Sequence, residues 1–233
     1  MKFNYDVILQ ARKSRKSRKS DPFTGFTDKF FNITDLFDKI HKKIKSKYIL
    51  QECRGQDIIG AVSALEVYFK DLALLLLEKG YLKEEDVIDK DMKIDLLEAK
   101  EIIESKIKIC ELVLWQYDFS NLSHLEKFFS KGFKITFMDE LKNIAFKIDK
   151  KMGFLPIEID KKTRDDLYLD KDFYVNIQNI LNVRNNLVHD FDPRFKLTKK
   201  DVEEFNSNIF EFVFFVDTFV FSYLIPKIKQ VRT

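Results

Sequence analysis

Apolar side chains recur every three or four residues in several stretches of this chain, which is the period of one face of an α-helix. The clearest stretch covers residues 58–77, where Glu66 falls on the apolar stripe and Gly80 supplies a stop. Similar periods predict a second long helix over residues 91–115 and a third from Lys171. The pattern therefore predicts an all-α fold, a bundle built from long helices.

The last predicted helix is apolar around nearly its whole circumference. It begins at Thr198, where Asp201 completes a variant of the capping box. Phenylalanines outside its main apolar stripe widen the apolar surface; they are Phe210, Phe214, Phe215 and Phe221. Such a helix needs burial on more than one side, so we expect it both at the centre of the core and in a homodimer interface.

Membrane insertion and secretion are not expected. The most apolar stretch, residues 209–225, contains Glu211 and Asp217 and is shorter than the roughly 20 residues of a membrane-spanning helix. The first residues lack the long apolar segment of a secretory signal. Cys53 and Cys110 lie far apart and form no CxxC pair. We therefore expect two reduced thiols in a cytoplasmic protein.

Residues 1–50 are predicted to be a basic N-terminal segment with one amphipathic helix, and residues 51–233 a helical domain. The triplet RKS occurs three times over residues 12–20 and supplies six cations; subtracting six from the net charge of +3 leaves −3 for the rest. A solvated, mobile segment is the simpler interpretation of this repeat, and an arm that contacts phosphates is the alternative.

The middle of the chain, residues 117–170, is predicted to elaborate the core helices. Residues 120–132 and 138–153 each have a helical pattern that ends at a Gly. Residues 154–166 are predicted to form a loop, because Pro156 and a run of charged residues interrupt the apolar pattern.

An Arg and a His interrupt the run NVRNNLVHD, which precedes Pro193. Arg184 falls on the apolar stripe of the third helix, where an unpaired guanidinium is costly. Glu66 is the matching charge on the first helix, so the two helices are expected to bring Glu66 to Arg184 or His189. The alternative is that each long side chain extends to water.

His189 follows Arg184 by five residues, which places the two side chains about 140° apart on an unbroken helix. Pro193 disfavours helix at the residue before it. We therefore expect the helix to unwind near residues 188–190 and to bring His189 into one pocket with Arg184. On spacing alone, a structural role in hydrogen bonding is the simpler interpretation of His189.

The segment RNNLVH resembles the R-x4-6-H signature of the HEPN superfamily, small helical proteins that include many metal-independent ribonucleases. Asn185 fits the polar residue that usually follows the Arg, and Glu66, within AVSALEVYFKDL, fits an acid of the first core helix. The resemblance covers roughly residues 55–82 and 172–224. It implies a HEPN-like helical bundle with additional helices inserted between the core helices.

The resemblance also implies an activity, which is cleavage of RNA through attack of a 2′-hydroxyl on the adjacent phosphate. His189 would be the general acid or base, and Arg184 would bind the phosphate. Asn185 would orient the phosphate or the His, and Glu66 would position Arg184 or His189. Such proteins commonly dimerise so that two motifs line one cleft. The expected partners are an RNA substrate, a second copy and a cognate antitoxin or regulatory protein.

No metal ion or cofactor is expected. His41, His124 and His189 have no ligand partner at a usual spacing, and the chain lacks the glycine-rich loops that bind nucleotides. Two alternatives to the nuclease stay open. One is a non-catalytic HEPN-like module that binds RNA or a protein, and the other is a scaffold or antitoxin-like subunit whose last helix docks a partner.

Overall fold

A computed structural model gives the fold of this chain and describes residues 5–17, 20–88, 94–189 and 196–231. Helices hold 73% of the residues and strands 6%. The protein is therefore mostly helical, which is consistent with the predicted all-α class. In chain order the elements are α1 (Tyr5–Ser17), α2 (Pro22–Lys43), α3 (Lys47–Glu78), α4 (Glu84–Val87), α5 (Leu96–Glu104), α6 (Ile109–Trp115), α7 (Leu122–Phe133), α8 (Phe137–Lys142), β1 (Ile144–Asp149), β2 (Gly153–Glu158), a 3-10 turn (Ile159–Lys161), α9 (Phe173–His189), α10 (Lys199–Phe219), a π-helical turn (Val220–Leu224) and α11 (Ile225–Val231).

Helix α3 contains the predicted helix over residues 58–77 and extends it at its N-terminal end. It ends at Glu78, and Gly80 follows with a φ of +69°, a conformation that favours glycine. The N–H of Tyr81 then donates to the carbonyl oxygen of Leu76 at 2.9 Å. The stop predicted at Gly80 is therefore confirmed.

Helix α10 lies at the centre of the core. It begins with the predicted capping box, in which the Thr198 side chain accepts from the N–H of Asp201 and the Asp201 side chain accepts from the N–H of Thr198. Phe212 is buried between α3 and α9, where its ring centroid lies 5.7 Å from Phe69 and 5.8 Å from Phe173. The buried side of α10 thus holds α3 and α9 together.

The remaining apolar side of α10 is covered by α2 and by the β-hairpin. The Phe214 ring lies 5.8 Å from Phe23 of α2 and 5.7 Å from Phe154 of β2. Phe210 packs against Phe26 of the same α2 face at 6.4 Å. Packing within one chain covers much of this side, so the apolar excess of α10 by itself does not require a second copy, although Phe221 stays 39% exposed.

The helix that runs from Lys199 to Gln230 is long and apolar enough, by length and composition alone, to cross a membrane. In the fold, 56% of its most apolar 18-residue stretch is buried, as in the core helix that the sequence predicts.

The N-terminal segment differs from its prediction. Residues 5–43 form two helices instead of one, and the predicted boundary at residue 50 falls inside α3. Phe26, Phe30 and Phe37 of α2 are buried in the main core, because their spacing of four and seven residues puts them on one helical face. Helix α2 is therefore part of the bundle.

The described part of the RKS repeat packs against the bundle through two of its arginines. Residues 12–17 are helical, and the spacing of three puts Arg12 and Arg15 on one face of α1. Both guanidinium groups contact the nearly buried carboxylate of Glu111, Arg12 through Nε at 2.8 Å and Arg15 at 3.3 Å. Burial raises the pKa of Glu111, but hydrogen bonds from Arg12 and from the Lys108 N–H outweigh it and lower the pKa. Residues 18 and 19 lie outside the described residues.

The predicted long helix over residues 91–115 is wrong, because the described part of it is two helices. Lys106 has a φ of +51° and ends the turn after α5, where the N–H of Ile107 donates to Ile102 at 3.0 Å. This break lets Ile107 and Leu112 pack with Ile8 of α1 in a small second core. Residues 89–93 lie outside the description.

In the middle region, α7 confirms the first predicted helix, but the helix predicted over residues 138–153 is wrong. Helix α8 ends at Lys142, and β1 and β2 form an antiparallel hairpin where a helix and then a loop were expected. The segment IAFKID has the alternating pattern of a strand, which places Phe146 against Phe215 at 5.6 Å, and Gly153 with a φ of +79° begins β2.

Two buried carboxyl groups join α3 to α10. Asp57 accepts a hydrogen bond from Nδ2 of Asn206 at 2.7 Å, and Asp217 accepts one from the Tyr68 hydroxyl at 3.0 Å. Burial raises the pKa of each carboxyl to about 6. In the folded protein both groups therefore hold their proton to a higher pH than in the unfolded chain.

The contribution of Asp57 and Asp217 to the free energy of unfolding should fall as the pH rises from about 4 to about 6. The contribution of the protonated carboxyls is fully present below the unfolded pKa of about 3.9 and is lost as the pH passes the folded pKa. Asp217→Asn keeps an oxygen for Tyr68 and removes the buried charge. It should flatten this fall and raise the free energy of unfolding at pH 7.5 by about 1–3 kcal/mol. Urea unfolding at pH 4 and 7.5 measures both, with the exposed Asp160→Asn as control. An unchanged pH profile in Asp217→Asn contradicts the assignment.

Candidate functional site

Helices α3 and α9 pack side by side and run in opposite directions. Near one end of the contact Arg184 of α9 meets Glu66 of α3, and further along α9 Leu187 approaches Gly55. A Cβ at Gly55 would lie 3.4 Å from the Leu187 side chain, so the helices are close at this point. Ile177, Ile180 and Leu181 are buried and fix the rotation of α9 about its axis.

The structure brings three of the four predicted site residues together. Nη2 of Arg184 lies 3.3 Å from Oε1 of Glu66, and Nη1 of Arg184 donates to Oδ1 of Asn185 at 3.0 Å. The side chains of Arg184 and Glu66 are 21% and 19% exposed, so the ion pair lies at the edge of the α3–α9 contact. These contacts satisfy the cation that the apolar stripe would otherwise leave unpaired.

Nε of Arg184 is buried and has no hydrogen-bond partner among the described residues. The two contacts on Nη1 and Nη2 hold the plane of the guanidinium, while the acid opposite it offsets its charge. The group is therefore a positioned set of donors at the rim of a helix–helix contact.

His189 lies apart from this cluster. Helix α9 continues through His189, so the unwinding predicted for residues 188–190 does not occur at Val188 or His189, and Asp190 lies outside the described residues. Pro193 restricts the residue immediately before it, which leaves the helix free to reach His189. On this unbroken helix, the side chains of Arg184 and His189 are about 140° apart.

The predicted shared pocket of Arg184 and His189 is therefore not made by unwinding of one chain. His189 is exposed, and its side chain has no hydrogen bond or ion pair with the part of the chain that the structure describes. An exposed imidazole at a helix end is free to contact a ligand or another protein chain.

Arg54 of α3 is a neighbouring cation that the sequence analysis missed. Its Nη1 donates to the carbonyl oxygen of Leu197 at 2.9 Å, and its Nη2 lies 3.0 Å from Nε2 of His41. Because a guanidinium only donates, His41 accepts through Nε2 in this contact. No periodic pattern or motif in the sequence marked Arg54 in advance.

The described residues contain no group of three or more His, Cys, Asp or Glu that could hold a metal ion. Cys53 and Cys110 are free thiols, and burial raises the pKa of the Cys110 thiol. Comparison with known proteins adds no relative, because no family model, curated protein or solved structure matches the chain. The HEPN resemblance therefore rests on the motif residues and on the helices that carry them.

The Glu66–Arg184 pair should contribute measurably to stability. In a double-mutant cycle of Glu66→Gln and Arg184→Gln, we expect a coupling free energy of about 1 kcal/mol, because the pair is largely shielded from solvent. The exposed pair Lys100–Glu104, 3.7 Å apart, is the matched control and should give at most about 0.5 kcal/mol. Urea unfolding measures both cycles. Equal coupling in the two pairs would mean that Glu66 and Arg184 do not interact as described.

Proposed function

We propose that this protein is a HEPN-type endoribonuclease that cleaves RNA without a metal ion. The observation that carries the proposal is the ion pair between Glu66 and Arg184, on the two helices that the resemblance marks as the core of such a domain. The reaction is attack of a ribose 2′-hydroxyl on the adjacent phosphate, which leaves a 2′,3′-cyclic phosphate and a 5′-hydroxyl.

Arg184 binds the scissile phosphate and stabilises the charge that builds on its oxygens. A guanidinium suits this task better than a lysine ammonium because its planar donors match two phosphate oxygens. Glu66 and Asn185 hold the orientation of Arg184 through the contacts at 3.3 and 3.0 Å. They are therefore positioning residues.

His189 transfers the proton as general acid or base, since an imidazole can both gain and lose a proton near neutral pH. Because His189 and Arg184 diverge on α9, a site that contains both needs a second copy of the chain. A homodimer in which α9 of one protomer faces α9 of its partner supplies Arg184 from one chain and His189 from the other.

The resemblance suggests a biological role as a toxin or an antiviral nuclease. Such an enzyme requires restraint, so a cognate antitoxin or regulatory protein belongs to the proposal. An RNA substrate fits a cytoplasmic location.

A non-catalytic helical module is the second candidate, in which the same residues only stabilise the fold. The burial of Arg184 Nε and the offset of its charge by Glu66 favour this candidate, because both are also features of a structural ion pair. Such a module would bind RNA or a protein partner without cleaving RNA.

Incubation of the purified protein with mixed RNA in EDTA separates the two candidates. The nuclease should cleave under chelation, and His189→Ala should reduce the rate by at least about 100-fold, because the general acid or base is lost. Arg184→Lys should also lose activity, since it restores the charge but not the planar donors. Circular dichroism checks the fold of each variant.

His124→Gln is the control. His124 lies on α7, and its side chain accepts a hydrogen bond from the N–H of Asp118. This variant should cleave at the wild-type rate, and the 3′ ends of the products should be cyclic phosphates. Binding of RNA without cleavage supports the module, and wild-type cleavage by His189→Ala overturns the catalytic assignment.

A further inference from the structure

The largest uninterrupted run of exposed positive charge in the described residues lies at the turn between α2 and α3. Lys42, Lys43, Lys45 and Lys47 are all exposed, and the sequence has no acid between Lys39 and Glu52. None of these four lysines forms an ion pair with another described residue. We call residues 42–48 the lysine turn.

The charge of the RKS repeat is used differently. Arg12 and Arg15 are both bound to the carboxylate of Glu111, which is 4% exposed, and Arg12 also donates to the carbonyl oxygen of Lys106 at 3.0 Å. These two guanidinium groups stabilise the packing of α1 and are not free for a polyanion. The lysine turn thus offers four accessible cations, whereas Arg12 and Arg15 of the repeat are engaged by Glu111.

The lysine turn is tied to the end of α9 that carries His189. His41, next to the turn, contacts Arg54, and Arg54 binds the carbonyl oxygen of Leu197. Leu197 is preceded by Lys196, whose side chain is exposed. The α2–α3 turn and the chain that enters α10 therefore lie on the same end of the bundle.

The close approach of Gly55 and Leu187 is a reference level from which distances along α3 and α9 can be counted. Lys47 is eight residues before Gly55 on α3, which is about 12 Å along the helix axis. His189 is two residues after Leu187 on the antiparallel α9 and lies towards the same end. The lysine turn and His189 therefore both lie on the same side of the level of Gly55, at one end of the bundle, with Lys47 about two helical turns from that level.

Tyr48 adds an aromatic ring to this basic surface. It is 72% exposed on the first turn of α3, directly after Lys47. An exposed ring beside phosphate-binding cations is the arrangement on which single-stranded nucleic acids bind, because unpaired bases stack on the ring while the backbone contacts the cations. A duplex would not offer its base faces to Tyr48.

We propose that the lysine turn binds single-stranded RNA and directs the strand towards His189; its role as a path to the cleavage site rests on the proposed function, whereas its binding of RNA does not. Lys42, Lys43, Lys45 and Lys47 contact consecutive phosphates, and Tyr48 stacks on one base. Arg54 fixes the position of the turn relative to Leu197.

The test measures binding of a fluorescent 12-nucleotide 2′-O-methyl RNA to the full chain by anisotropy over a series of KCl concentrations. This probe has no free 2′-hydroxyl and cannot be cleaved by the proposed reaction. Replacement of the four lysines by Gln should weaken binding at least tenfold at low salt. It should also reduce the slope of log K against log salt by about 3, because each contact to a single strand contributes about 0.7.

The matched control replaces four other exposed lysines by Gln, namely Lys79, Lys147, Lys150 and Lys151. It removes the same charge from the C-terminal end of α3 and from the hairpin, and it should keep at least half of the wild-type affinity. Tyr48→Ala should weaken binding about fivefold or more with no change in the salt slope, since stacking is not ionic. All of these positions are exposed, and thermal melting checks the fold.

Equal losses in the two quadruple variants would overturn the proposal, because they would indicate only general attraction to charge. Tighter binding to a duplex of the same length, or binding to phosphatidylserine vesicles but not to the oligonucleotide, would overturn it as well. A protein that cleaves no RNA but loses oligonucleotide binding on Lys→Gln replacement refutes the nuclease and supports the lysine turn. Wild-type binding and cleavage by the Lys→Gln variant refute only the lysine turn.

Discussion

The fold depends on one constraint, which is that α10 is apolar around most of its circumference and must be covered on more than one side. Helices α3 and α9 cover one side through Phe69 and Phe173, and α2 and the hairpin cover the other through Phe23 and Phe154. The N-terminal helix and the middle hairpin are therefore parts of one core. The same packing covers much of the apolar surface that the sequence had offered for a dimer interface, and Phe221 stays 39% exposed.

Packing of α3 and α9 on α10 has a chemical consequence at their shared edge. It brings Glu66 to Arg184, so a cation on an apolar face acquires a counter-charge and Asn185 holds its plane. The same helix carries His189 to its exposed end. The side chains of Arg184 and His189 lie about 140° apart on α9. Catalysis by both groups therefore needs Arg184 from one copy of the chain and His189 from another.

Two kinds of feature were predictable from the sequence. One depends on a local pattern, and the other on two opposite charges that each interrupt an apolar pattern. The capping box at Thr198 is of the first kind, and the pairing of Glu66 with Arg184 is of the second. The break at Lys106 and the hairpin were missed, because a single left-handed residue and a six-residue alternation are weak signals beside a long helical period. Contacts of Arg54 with a backbone carbonyl 143 residues away leave no periodic trace at all.

The most direct measurement mixes two inactive proteins, Arg184→Lys and His189→Ala, under conditions that exchange subunits. Arg184→Lys keeps a cation opposite Glu66, so the fold is expected to persist. If each site takes Arg184 from one copy and His189 from the other, half of the dimers are mixed and each has one intact site. The mixture should then regain about a quarter of the wild-type cleavage rate. A mixture as inactive as its components would contradict a site shared between copies.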